Sequence, residues 1–211
     1  MNNNNTHEVM AYIEQVLAIA QSGLAYSKDP YDIERFTLLR QLSAELMANT
    51  QGLDLDRVAG WIDVDEHYAT PKIDVRALVL DDDGKILLVQ ESSDRNWTLP
   101  GGWCDIGESA GEAVVRETFE ETGLHVTPLR LLALFDKRKH DHPPQMPHAH
   151  KCFFLCKSES GTLTGRTSET SAAGYFPLDA LPPLSLHRLT KNQLMTVAHH
   201  ARSGNLHALF D

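Results

Sequence analysis

Apolar positions at Val9, Ile13, Val16, Leu17, Ala20 and Leu24 follow a helical period and predict a first amphipathic helix, with Gly23 near its end. Lys28-Asp29-Pro30 breaks that pattern: Asp29 suits an N-cap, and Pro30 suits the first position of a new helix. Ile33, Phe36, Leu39, Leu42 and Leu46 mark this second helix, closed near Gly52, and residues 54–62 allow a short third. Two or three such helices bury too little to be secure alone, so the segment is expected to pack on its main domain or on a partner chain.

After Pro71 the pattern changes. Residues 74–80 read as a strand, Asp81-Asp82-Asp83-Gly84 as a turn, and residues 85–90 as the returning strand. The three aspartates lack the rest of a calcium loop, so a solvated turn is the reading. Leu129 to Phe135, Cys152 to Cys156 and Gly174 to Phe176 read as further strands, and Arg188 to Arg202 as a closing helix. The expected class is α/β, a mixed sheet with helices on its faces, in a domain of residues 69–211 behind a small helical domain of residues 1–68.

A hydrophobic fraction of 42% in 211 residues supports a real core. The formal net charge of -10 argues against a broad basic surface for nucleic acid, but not against a phosphate-bearing small molecule held through a metal ion. No apolar run reaches the ~18 residues that would suggest a membrane span. Met1-Asn2-Asn3-Asn4-Asn5 lacks the basic start and apolar core of a secretory signal, which points to the cytoplasm. Cys104, Cys152 and Cys156 are expected as reduced thiols. His148, His150 and Cys152 alternate, yet no fourth ligand has the spacing of a zinc site.

The chemistry concentrates between Pro100 and Leu124. Ser109 can cap a helix, Glu112 three places on completes a capping box, and Gly123 is a natural stop. Glu117, Glu120 and Glu121 stand at i, i+3 and i+4 and so share one helical face. Three carboxylates that close repel one another, and a hard divalent cation is one remedy. Arg116, four residues before Glu120, can steer a carboxylate, and Gly101-Gly102 lets backbone approach a metal or a phosphate.

Gly102, five residues, Glu108, seven residues, then Arg116-Glu117-Thr118-Phe119-Glu120-Glu121-Thr122-Gly123-Leu124 resembles the signature of the Nudix hydrolases. Thr118 stands where an aliphatic residue is usual, and it should face the sheet. The resemblance implies an α/β/α sandwich and hydrolysis of a nucleoside diphosphate linked to another moiety, with Mg²⁺ as cofactor and Mn²⁺ as a substitute. By position it implies Glu117, Glu120, Glu121 and the Gly102 carbonyl as metal ligands, Arg116 as the residue that orients a glutamate, and Glu108 as support for the loop. Glu169, in a later loop, is a candidate ligand or general base.

Tyr26 to Asp32, Tyr68 to Arg76 and Asp136 to His140 are similar to a bacterial Nudix subgroup with an N-terminal helical extension. That likeness implies a homodimer and a CDP-choline pyrophosphatase activity, with ADP-ribose as the alternative substrate. Arg76, Arg138, Lys139, His140 and Trp103 are the candidate substrate contacts, and Trp97, Tyr68 and Phe135 are further aromatic candidates for stacking. A ligand sensor on the same fold and a hydrolase of RNA 5′ ends are the competing readings. The acidic triad speaks against the first and the acidic balance against the second.

Overall fold

The computed structural model describes residues 3–62, 68–143, 147–165, 167 and 169–211. The segment 136–150, which carries the candidate contacts Arg138, Lys139 and His140, therefore falls partly outside the described residues, at 144–146. The chain divides into two compact units, Met1–Pro71 and Lys72–Asp211.

The first unit holds α1 (Asn3–Tyr26), α2 (Pro30–Gln51) and α3 (Leu55–Ile62). The Asp29 carboxylate accepts from the amides of Tyr31 and Asp32, and Gly52 closes α2 in the left-handed region at φ 64. Helix α1 buries Met10, Ile13, Leu17 and Ala20. Helix α2 departs from its expected stripe: it buries Ser43, Ala44, Met47 and Ala48, while Ile33, Leu42 and Leu46 remain exposed. Ser43, Ala44 and Ala48 with Met47 thus form the buried face, and Ile33, Leu42 and Leu46 face outward.

The second unit contains β1 (Lys72–Val79), β2 (Ile86–Glu91), β3 (Trp97–Thr98), α4 (Ala110–Thr122), β4 (Leu124–Asp136), β5 (Ala149–Gly161), β6 (Thr170–Phe176), α5 (Lys191–Arg202) and β7 (Leu209–Phe210). One sheet has the order β1-β5-β4-β7, with β1 parallel to β5 and β4 antiparallel to β5; the other, β3-β2-β6, is antiparallel. Alternation along β1 and β2 feeds two cores. Leu78, Ile86 and Leu88 pack with Leu194 and Val197 of α5. Val75, Ala77, Val79 and Leu87 pack with Ala113 and Val114 of α4. Strands buried on both faces between two helices give the α/β/α layering.

Several boundaries differ from expectation. Strand β4 starts at Leu124 rather than near Leu129, carried across Pro128 by register shifts on either side of it. Helix α5 starts at Lys191, because Thr190 and Gln193 form a capping box. Among the described residues, no helix is long and apolar enough to cross a membrane.

Candidate active site

The loop entering α4 is laid against β1 as an irregular extra strand. The amide of Ala77 donates to the Pro100 carbonyl, Val75 to Gly102, and Cys104 back to Ile73, at 2.8, 2.8 and 3.0 Å. Gly101 adopts φ 138, and a Cβ there would lie 2.0 Å from the Val75 carbonyl oxygen, so glycine is required. Helix α4 then begins at Ser109, whose capping box with Glu112 is complete, and ends at Gly123 with φ 72. Caps at both ends fix which face carries the acids.

That face lines a cavity of about 890 Å³, whose walls include Glu117, Glu120 and Glu121 from α4, Gly101, Gly102 and Trp103 from the loop, and Glu169. Arg116 is the organiser. Its Nη2 lies 2.6 Å from Glu108, and its Nη1 lies 2.9 Å from Glu117 and 3.1 Å from Glu120. It also donates to the Trp103 carbonyl. Its hydrogen bonds, together with the Asp105 amide, hold Glu108 down to a pKa of about 2.

Glu121 is different. Only 6% exposed, it accepts one hydrogen bond, from the Gly101 amide at 2.8 Å. Burial pushes its pKa up to about 8, against the pull of the Arg76 charge and with a further push from Glu117 and Glu91. Burial likewise raises Glu117, against Arg116. Thr118, on the opposite side of the helix, is fully buried, and its hydroxyl donates to the Val114 carbonyl. This explains why a polar residue is accepted facing the core.

The donor set suits a hard divalent cation: carboxylate oxygens crowded at one wall, two of them raised by burial, beside a glycine carbonyl. The Gly102 carbonyl already accepts from Val75, which leaves it one lone pair for an ion. As the side chains stand, no three acids among the described residues converge on a single point, and Arg116 bridges Glu117 and Glu120. Glu120 is the most exposed of the three and has the most room to move.

Four of the expected substrate contacts are not on this cavity. Arg76 is fully buried; its guanidinium forks onto Asp74 at 2.9 and 2.8 Å and donates to the Leu99 carbonyl. Lys151 completes that buried group at 2.6 Å from Asp74. The two cations outweigh the effect of burial and hold the Asp74 carboxyl well below the usual range, whereas burial brings Lys151 down to about 7. Arg76 is thus a charge behind the wall, felt by Glu121, and not a substrate contact. Arg138, Lys139 and His140 sit on a turn after β4, where Arg138 pairs with Asp136 and His140 meets Asp211; none lines the cavity. Trp97 and Phe135 pack in or against the α5 core, and Trp103 alone of the aromatic candidates faces the cavity.

Sequence reasoning missed Glu91 and Arg188, which both line the cavity. A register shift between Gln90 and Glu91 interrupts strand alternation there, and Arg188 arrives on a loop nearly 100 positions later. Cys104, Cys152 and Cys156 are free thiols; burial pushes Cys152 up to about 11 and Cys156 to about 12, so neither is a nucleophile.

A fold of this layering with an acid-lined loop-helix site defines a class, and the chain belongs to it: residues 70–197 match the NUDIX domain, so this is a member of the Nudix hydrolase family. Residues 7–62 match a second family, described as the UDP-X-like, N-terminal oligomerisation domain. A Bacillus subtilis (strain 168) protein, provisionally called ADP-ribose pyrophosphatase YjhB, is 45% identical over 199 residues, 94% of each chain. A crystal structure of a UDP-X diphosphatase matches 98% of this chain and 99% of its own, at 34% identity and a TM-score of 0.63. A crystal structure of an ADP-ribose pyrophosphatase from Streptococcus suis 89-1591 covers 67% of this chain and all of its own, at 44% identity and a TM-score of 0.60. The chain is a Nudix pyrophosphohydrolase of the type that carries an N-terminal extension.

Proposed function

We propose that the chain hydrolyses the diphosphate of ADP-ribose with Mg²⁺, giving AMP and ribose 5-phosphate. The observation that carries the reaction class is that Glu117, Glu120 and Glu121 line one cavity together with Gly101 and Gly102. ADP-ribose is favoured over CDP-choline by the names of two relatives at 45% and 44% identity. CDP-choline remains the second substrate, and the UDP-X diphosphatase likeness makes a UDP-linked compound the third.

Glu117, Glu120, Glu121 and the Gly102 carbonyl are the groups that would hold Mg²⁺, or Mn²⁺ in its place. When bound, the ion supplies charge neutralisation and Lewis acidity at the diphosphate. Arg116 keeps the glutamates in reach of one another, through Glu117 and Glu120. Exposed Glu169 lines the same cavity, which supports it as the base that takes the proton of the attacking water. Water adds to one phosphorus in line, the P–O–P bond breaks, and the second phosphate leaves with its oxygen. No protein nucleophile is required.

The test is product analysis with the full chain, MgCl₂ and a panel of ADP-ribose, CDP-choline and UDP-glucose. AMP from ADP-ribose at the highest kcat/KM is expected, and a roughly 100-fold drop in Glu120→Gln, the scale of disturbing a metal ligand's surroundings. Binding of every panel compound without product would favour a ligand sensor instead.

The matched oligomerisation domain and the outward apolar side chains of α2 support a homodimer built through the first unit.

A further inference from the structure

The cavity is a difficult place for an anion. Glu91, Asp105, Glu117, Glu120, Glu121 and Glu169 line it, and the cations among its described residues are Arg116 and Arg188. A diphosphate approaching these acids is repelled unless nearby positive charge offsets them. Arg116 has little to give, because its Nε, Nη1 and Nη2 already donate to Glu108, Glu117, Glu120 and the Trp103 carbonyl.

Arg188 is placed differently. Its guanidinium meets Glu91 at 3.5 Å, well beyond the ~2.8 Å of a charge-assisted hydrogen bond. Its side chain is 37% exposed, whereas that of Glu91 is 9% exposed. The backbone beneath it is firmly held. Ser185 donates its amide to the Trp97 carbonyl and its hydroxyl to Asp94 at 2.7 Å, and the amides of Arg188 and Leu189 both donate back to the Ser185 carbonyl. Leu189 is fully buried in the α5 core, and the Thr190–Gln193 capping box follows directly. A fixed base with a loosely engaged planar fork is the arrangement of a pre-positioned anion donor.

We propose that Arg188 is a substrate-binding residue, which takes a non-bridging phosphoryl oxygen of the diphosphate opposite the α4 glutamates. The assignment rests on the pyrophosphohydrolase reading above. Five N–H donors let one edge of the guanidinium stay on Glu91 while the other meets phosphate. Glu91 does not depend on Arg188 alone, since it also lies within the influence of the Arg76 charge.

The experiment is a calorimetric titration of the full chain with methylenediphosphonate in Mg²⁺, for the parent, Arg188→Gln and Arg188→Lys. Loss of a charged hydrogen-bond donor predicts affinity about tenfold weaker or worse in Arg188→Gln, with Arg188→Lys between it and the parent. On any panel compound that turns over, KM should rise about tenfold in Arg188→Gln while kcat falls less. Circular dichroism confirms that each variant is folded, and Arg188→Lys keeps the positive charge on a stem nearly as long. Binding within twofold of the parent in both variants, or no binding by the parent, overturns the proposal. Should the parent hydrolyse nothing in the panel yet bind methylenediphosphonate through Arg188, the substrate reading fails and the anion site stands.

Discussion

Gly102 lies so close to Glu117 that a Cβ on it would stand 2.8 Å from the carboxylate Oε2. Because the neighbour is a side chain and not backbone, Gly102→Ala should fold normally and displace Glu117. A shift of this kind beside the reacting centre is expected to lower kcat by about 100-fold. Steady-state kinetics and thermal melting of the same sample check it, and unchanged kcat would separate Gly102 from the chemistry.

Glu121 offers a test by pH in the metal-free protein. Its folded pKa of about 8 lies above its ordinary 4.5, so its contribution to stability is full below 4.5 and is lost as pH rises towards 8. His142 runs the other way, lowered by burial from 6.5 to about 4, and so does Lys151, lowered from 10.5 to about 7. The clean quantity is therefore the Tm of Glu121→Gln minus that of the parent, in EDTA. That difference should grow in favour of the variant from pH 5 to pH 8, and saturating Mg²⁺ should shrink it. A difference independent of pH would contradict the burial argument.

Asp74 balances two buried cations, Arg76 and Lys151. Asp74→Asn leaves both in the interior with one neutral partner. Stripping one member from a buried ion pair costs about 3–5 kcal/mol, so the urea midpoint should fall accordingly. Lys151→Met should cost less, since Asp74 keeps its fork on Arg76. Equal losses in the two variants would count against this ordering.

Ile33, Leu42 and Leu46 are exposed on α2. On the proposed homodimer, paired Leu42→Asp and Leu46→Asp substitutions should give a monomer in light scattering, with the α4 site left intact. A doubly substituted protein that stays dimeric would place the interface elsewhere.

What could be read in advance follows from how local each signal is. The Ser109–Glu112 box, the Gly123 stop, the Asp29 cap and the face shared by Glu117, Glu120 and Glu121 each depend on residues within a few positions, and each is found. Thr118 faces inward as its helical position requires. Arg76 turns inward where a substrate contact is expected, because Asp74 holds it beside Lys151, 77 positions from Asp74. A charged residue within a strand carries no mark of which face is solvent when both faces are covered. Glu91 is hidden by a bulge, Arg188 by a loop, and the exposed face of α2 by a buried face centred on Ser43, Ala44, Met47 and Ala48 instead of the leucines.

The pairing of β1 with β5 sets Asp74 directly opposite Lys151, and the same two residues meet through their side chains. A slide of one position would put Ile73 or Val75 across from the lysine and strand an ammonium group among aliphatic neighbours. Misalignment of these parallel strands is thereby penalised at a single checkpoint, and the glycine loop, sewn to Ile73, Val75 and Ala77, inherits the correct frame from it.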